Sequence, residues 1–91
     1  MEVRLSTHGA YQHQYHVVWI PKYRRRILRG AIKIFVEEHL PQIQHSHPDV
    51  LVQQWSVQVE HIHVGLVIPP KYAVSSIVGK MQANLSRQLR L

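Results

Sequence analysis

Apolar positions along this chain change period several times, and the changes mark its elements. Residues 12–20 read as a strand, with His16-Val17-Val18-Trp19-Ile20 rich in β-branched and aromatic side chains. Tyr15, Val17 and Trp19 fall on one face, Val18 and Ile20 on the other. A strand apolar on both faces belongs in the middle of its sheet, and Pro21 ends it. The period then lengthens. Leu28, Ile32, Phe35, Val36 and Leu40 follow helical spacing, so residues 28–40 are predicted helical. Pro41 should stop or kink the run, with a last turn through Ile43. His45, Ser46, His47, Pro48 and Asp49 read as a polar loop. Residues 50–68 return to strand character, as two strands with a weakly signalled turn near residues 58–60. In the second, Ile62, Val64, Leu66 and Ile68 alternate with His61, His63, Gly65 and Val67. Pro69 and Pro70 close it. Residues 74–91 carry a second helical stripe of Val74, Ile77, Val78, Met81, Leu85 and Leu89. Ser75 or Ser76 is placed to cap it, and Lys80, Arg87 and Arg90 lie off the stripe.

The order strand, helix, strand, strand, helix predicts an α+β fold. It is the ferredoxin-like pattern, βαββα, without its last strand: an antiparallel sheet with two helices on one face. At 91 residues the chain has room for one domain, 1–91. A three-stranded sheet would leave an unpaired edge where the last strand should pair. The expected remedy is a homodimer that hides this edge.

Composition narrows the chemistry. Cysteine is absent, which excludes disulfide scaffolds and thiolate metal sites. No apolar run approaches the ~20 residues of a membrane span, and the first nine residues lack an apolar signal region. A soluble intracellular protein with no membrane partner is expected. Eleven Lys and Arg against five Asp and Glu give a net charge of +6, which favours an anionic partner such as nucleic acid. Six of the eleven cations lie in residues 22–33, which hold no acid. Lys22, Tyr23, Arg24, Arg25 and Arg26 open that stretch as a candidate DNA-binding segment. Guanidinium groups grip phosphate oxygens, and Tyr23 offers a face to an unpaired base. Cations at a helix N-terminus oppose its dipole, and nucleic-acid phosphate would relieve that.

Eight histidines make the second signal. His61 and His63 sit two apart on a strand, so both project from one face, opposite the core residues Ile62, Val64 and Leu66. Their rings could converge on one divalent cation, or simply be solvated. Gly65, next on that face, leaves room for a substrate. Two histidines do not complete a metal site, and Glu60 points to the other face of a regular strand. His16 reads as a hydrogen-bonded structural residue, and His45 and His47 as solvated. Tyr11 and Tyr15 could stack on bases. Trp19 and Trp55 are expected in the core.

Three ordered motifs carry a resemblance. Tyr15-His16-Val17-Val18-Trp19-Ile20-Pro21-Lys22-Tyr23-Arg24-Arg25 closely resembles the first strand of the small single-strand insertion-sequence transposases, HUH endonucleases with one catalytic tyrosine. Glu60-His61-Ile62-His63-Val64 resembles their metal-binding strand, with Glu60 for the usual Asp and Val59 where Pro is frequent. Ile68-Pro69-Pro70-Lys71-Tyr72-Ala73-Val74-Ser75 resembles the lead into their second helix. The resemblance implies a ferredoxin-like dimer that cuts and rejoins hairpin ends of single-stranded DNA. It implies Mg²⁺ or Mn²⁺ held by His61, His63 and a third polar residue, and a 5′-phosphotyrosine link. The nucleophilic tyrosine of that family lies on a helix after the fourth strand. Tyr72, the one tyrosine beyond the histidine pair, matches a non-catalytic position, and the chain ends 28 residues after His63. The expectation is therefore an N-terminal part of a transposase, without strand cleavage of its own. The alternatives are a non-enzymatic module that binds single-stranded nucleic acid, and an unrelated metal-dependent hydrolase using Glu60.

Overall fold

In the computed structural model, residues 2–7 and 13–89 are described, apart from the side chains of Thr7, Arg24, Gln88 and Leu89. The sequence-based roles of Tyr11, Arg90 and the Arg24 and Leu89 side chains lie outside the described residues.

Four strands form one antiparallel sheet. They are β1 (Glu2–Thr7), β2 (Gln14–Ile20), β3 (Leu51–Gln58) and β4 (His61–Val67), in the spatial order β1-β2-β4-β3. The helices are α1 (Ala31–His39), the single turn α2 (Ile43–Ser46) and α3 (Val74–Leu89). The α+β architecture agrees with the sequence, and β2 is central as its two apolar faces required. The three-strand expectation is corrected by β1. This strand runs antiparallel along the edge of β2 that was expected to stand open, pairing Val3 with Trp19 and Leu5 with Val17. Its alternation of Val3 and Leu5 with Glu2, Arg4 and Ser6 is the signal for it, short and mostly polar.

The core lies between sheet and helices. Val17 and Trp19 of β2 stand opposite Val64 and Ile62 of β4. Val36, Leu40 and Ile43 close over them from the α1–α2 segment, and Ile77, Val78, Met81 and Leu85 from α3. β4 alternates buried and half-buried residues along its whole length, so one face meets the helices and the other carries His61, His63 and Gly65.

Several local expectations are corrected. Helix α1 begins at Ala31 rather than at Leu28. Leu28 is buried but outside the helix, with its N–H bonded to the Val59 carbonyl at 3.0 Å. Helix α1 ends at His39, just before Pro41, as expected, and the last turn expected through Ile43 extends over His45 and Ser46, which were expected in a loop. Pro41 sits in the first turn of a 3₁₀ segment, Leu40–Gln42, where its missing N–H costs nothing. Ser75 and Ser76 lie inside the first turn of α3 instead of capping it. Trp55 is 41% exposed, because β3 is an edge strand with a bulge between Val52 and Gln54.

A polar tie fixes the approach to α3. The Tyr72 hydroxyl donates to Asp49 at 2.8 Å, and Lys71 Nζ reaches the same carboxylate at 2.7 Å. The Lys71 ammonium first, and the Tyr72 hydroxyl second, hold the Asp49 carboxyl below its usual range. The same carboxylate raises Lys71 and Tyr72. The stabilisation from Asp49 is therefore complete above its unfolded value, 3.8, and is lost as pH falls through the lower folded value. That from Lys71 and Tyr72 is complete below their unfolded values, 10.5 and 10.0, and is lost as pH rises past them. Asp49→Asn is expected to lower Tm slightly between these limits, with the difference closing at both ends. Thermal melts across the pH range check it; a constant difference down to strong acid would contradict it.

Candidate metal and nucleic-acid site

The face of the sheet opposite the core gathers three histidines. His61 and His63 alternate with buried Ile62 and Val64 on β4, and their rings stand nearly perpendicular with centroids 4.5 Å apart. β2 adds the third. Its register sets Val18 opposite His63 and His16 opposite Gly65, which puts His16 diagonally beside His63. The two rings lie 5.1 Å apart, and His63 Nδ1 is 3.2 Å from His16 Nε2. His16 is thus hydrogen-bonded, as its sequence reading held, and it is also part of the site. Burial first, then the neighbouring His61 and His16, push the His63 pKa below its ordinary value. That shift favours the neutral form, the one a metal ligand needs.

His63 divides two clefts. One, of about 290 Å³, is lined by His16, Gln54, Trp55, Ser56, His63 and Gly65. Gly65 leaves its floor to the Gln54 side chain, whose Cγ would lie 3.0 Å from an added Cβ. The other, of about 270 Å³, is lined by Arg4, Val18, Ile20, Glu60, His61 and His63. Neither cleft has a tyrosine in its lining. Glu60 is not turned away as a regular strand would require. It occupies the turn before β4, and its carboxylate comes within 3.9 Å of His61 Nδ1. Arg4, which no sequence argument singled out, arrives with β1 and is paired with Glu2 on its own strand.

The donor set fits part of a metal site. Two adjacent imidazoles on one face suit a divalent cation that accepts nitrogen, Mn²⁺ better than the oxygen-seeking Mg²⁺. Among the described residues, no group of three His, Cys, Asp or Glu could hold a metal ion. The remaining ligands would have to come from water, substrate or residues outside this set.

The basic segment lies at the same end of the sheet. β2 ends at Ile20, one residue past Trp19, which pairs with Ile62 next to His61. The chain then makes a 3₁₀ turn, Lys22–Arg24, and returns to the sheet where Leu28 bonds Val59, just before Glu60. Residues 22–26 thus precede the helix in a loop and do not open its first turn. Tyr23 takes φ 60°, ψ 21°, a left-handed conformation unusual for a bulky residue. Its ring is 79% exposed, with Lys22 Nζ 5.2 Å from the ring centre. Arg25 and Arg26 are exposed beside it. His45 is also exposed, whereas His47 is half-buried between Ser46 Oγ at 2.8 Å and Lys80 Nζ at 3.3 Å.

These features define a helix-backed antiparallel α+β sheet with a histidine cluster on the face opposite the helices and a cationic loop at one end. A family model described as "Transposase IS200 like" matches residues 9–91, and the chain belongs to that family. The transposase of insertion sequence element IS200 from Salmonella typhimurium is 33% identical over 82 residues, covering 90% of this chain and 53% of its own length. The ISDra2 transposase TnpA of Deinococcus radiodurans is 25% identical over 89 residues, covering 98% of this chain and 63% of its own. The chain thus spans between half and two thirds of these relatives. A crystal structure of a transposase candidate from Deinococcus radiodurans superposes with a TM-score of 0.76 at 19% identity, covering 91% of this chain and 65% of that one, a likeness of fold. No helix is long and apolar enough to cross a membrane among the described residues.

Proposed function

We propose that this chain supplies the metal-holding histidines and part of the DNA-contacting surface of a transposase that acts on single-stranded DNA hairpins. The observation that carries the reading is the pair His61 and His63, side by side on the sheet face opposite the core with ring centroids 4.5 Å apart. A divalent cation there, Mg²⁺ or Mn²⁺, would act as a Lewis acid on a phosphate oxygen. The protein's own part is positional. Lys22, Arg25 and Arg26 take phosphate oxygens, Tyr23 receives an unpaired base, and Arg4 adds a cation beside the pair. Arg24 belongs with this group by sequence. The nucleophilic tyrosine and third ligand implied by the resemblance are assigned to no residue here, and the chain by itself is proposed to bind without cutting.

The test is binding to a single-stranded DNA hairpin against the matching duplex, with and without Mn²⁺. The control carries His61→Ala and His63→Ala together. Hairpin-selective binding that Mn²⁺ strengthens, and that loses this strengthening in the control, is expected. Sedimentation of the complex reads the number of chains per hairpin, expected to be two. Equal, salt-sensitive binding to hairpin and duplex, indifferent to Mn²⁺, would leave the non-enzymatic binding module instead. A phosphotyrosine adduct formed by this chain would overturn the claim that it does not cut.

A further inference from the structure

The contact between His16 and His63 joins two strands and involves a ring the metal reading uses. Imidazole nitrogens 3.2 Å apart can share a single hydrogen between them when both rings are neutral. Its direction decides what His63 can do. If His16 Nε2–H donates, the lone pair of His63 Nδ1 is spent, and His63 carries its hydrogen on Nε2. The ring then has no lone pair left for a cation. If His63 Nδ1–H donates to His16 Nε2, the His63 Nε2 lone pair is free. Among the described residues His16 is the one hydrogen-bond partner of the His63 ring.

We propose that His16 is a positioning residue for His63: it accepts the Nδ1 hydrogen at its own Nε2 and so fixes the tautomer and ring orientation in which His63 Nε2 can ligate a divalent cation. The inference rests on the metal reading above and adds a residue to it. It also follows from placement. His16 lies opposite Gly65, a position with no side chain to stand between it and His63. Its neighbours Tyr15 and Val17 are turned to the core side, which holds the β2 backbone against sliding. A partner that fixes a ligand histidine is worth roughly 10–100-fold in metal affinity.

Two measurements test this on the full chain. Long-range ¹H–¹⁵N correlation spectra of the metal-free protein read the tautomer of His63 directly. A hydrogen on Nδ1 is expected; a hydrogen on Nε2 would overturn the proposal. Mn²⁺ binding by calorimetry is then compared for the parent chain, His16→Leu and His16→Gln. The leucine variant is expected to bind about 10–100-fold more weakly. The glutamine variant keeps an acceptor oxygen and is expected to recover most of the loss. Unchanged affinity in His16→Leu, with its amide spectrum still that of a folded chain, would sink the idea. So would equal losses in both variants, which would mark His16 as a direct ligand. If the parent chain takes up no Mn²⁺, the metal reading fails, and the tautomer alone then sustains or overturns the role of His16.

Discussion

Replacing Trp19 by alanine is expected to remove a large part of the chain's stability. Trp19 is fully buried in the central strand, between Val3 of β1 and Ile62 of β4. Truncating a buried tryptophan costs about 3–5 kcal/mol. A domain of this size holds a total of roughly 5–14 kcal/mol, so the loss takes about a fifth of the reserve at best and all of it at worst. Trp19→Phe should behave differently. The indole Nε1 is buried with no hydrogen-bond partner among the described residues. An unsatisfied buried N–H costs about 1–3 kcal/mol, and phenylalanine removes that cost while keeping most of the apolar contact. Its net effect is expected to be under about 1 kcal/mol. Urea titrations of the two variants decide the matter. Equal destabilisation would mean that the indole N–H has an acceptor in solution.

The second large effect concerns the loop after β2. Arg25→Ala combined with Arg26→Ala removes two exposed cations from the turn that leaves the sheet beside His61. If both touch phosphate, the slope of log K against log salt should flatten by about 1.4 for single-stranded DNA, and affinity at physiological salt should fall about tenfold. Tyr23→Gly separates stacking from charge. Glycine adopts the φ of 60° without strain, so the loop keeps its path and loses only the ring. A further loss of about 1–3 kcal/mol, with no change in salt slope, is the signature of a stacked base. A variant that matches the parent in both affinity and slope would remove the loop from the interface.

How much of this was legible in the sequence differs from element to element. The alternation around His61 and His63 needs only the period of a strand, and the parity of β4 was readable from it. The two apolar faces of β2 likewise announced a central strand. Strand β1 was not read, because four of its six residues are polar and its strand identity comes from pairing with β2. Helix α1 starts late for a related reason. Leu28 keeps the helical period, yet its N–H is committed to Val59 across the fold. Trp55 was assigned to the core on its chemistry, while its exposure follows from an edge position that no local pattern encodes. His16 is the most instructive case. Parity within β2 separates it from Val17 and Trp19, but only the register between β2 and β4 brings it to His63. Sequence reports faces; register reports neighbours.

The placement of β2 carries a consequence for how such a chain can change over generations. Val17 and Trp19 hold the core while His16, between Tyr15 and Val17, serves the opposite face. A side-chain replacement can alter one duty and spare the other. A one-codon insertion or deletion between residues 15 and 19 cannot, because it exchanges the two faces of the strand at a stroke. Lineages are therefore expected to keep this five-residue stretch free of gaps even where its side chains vary.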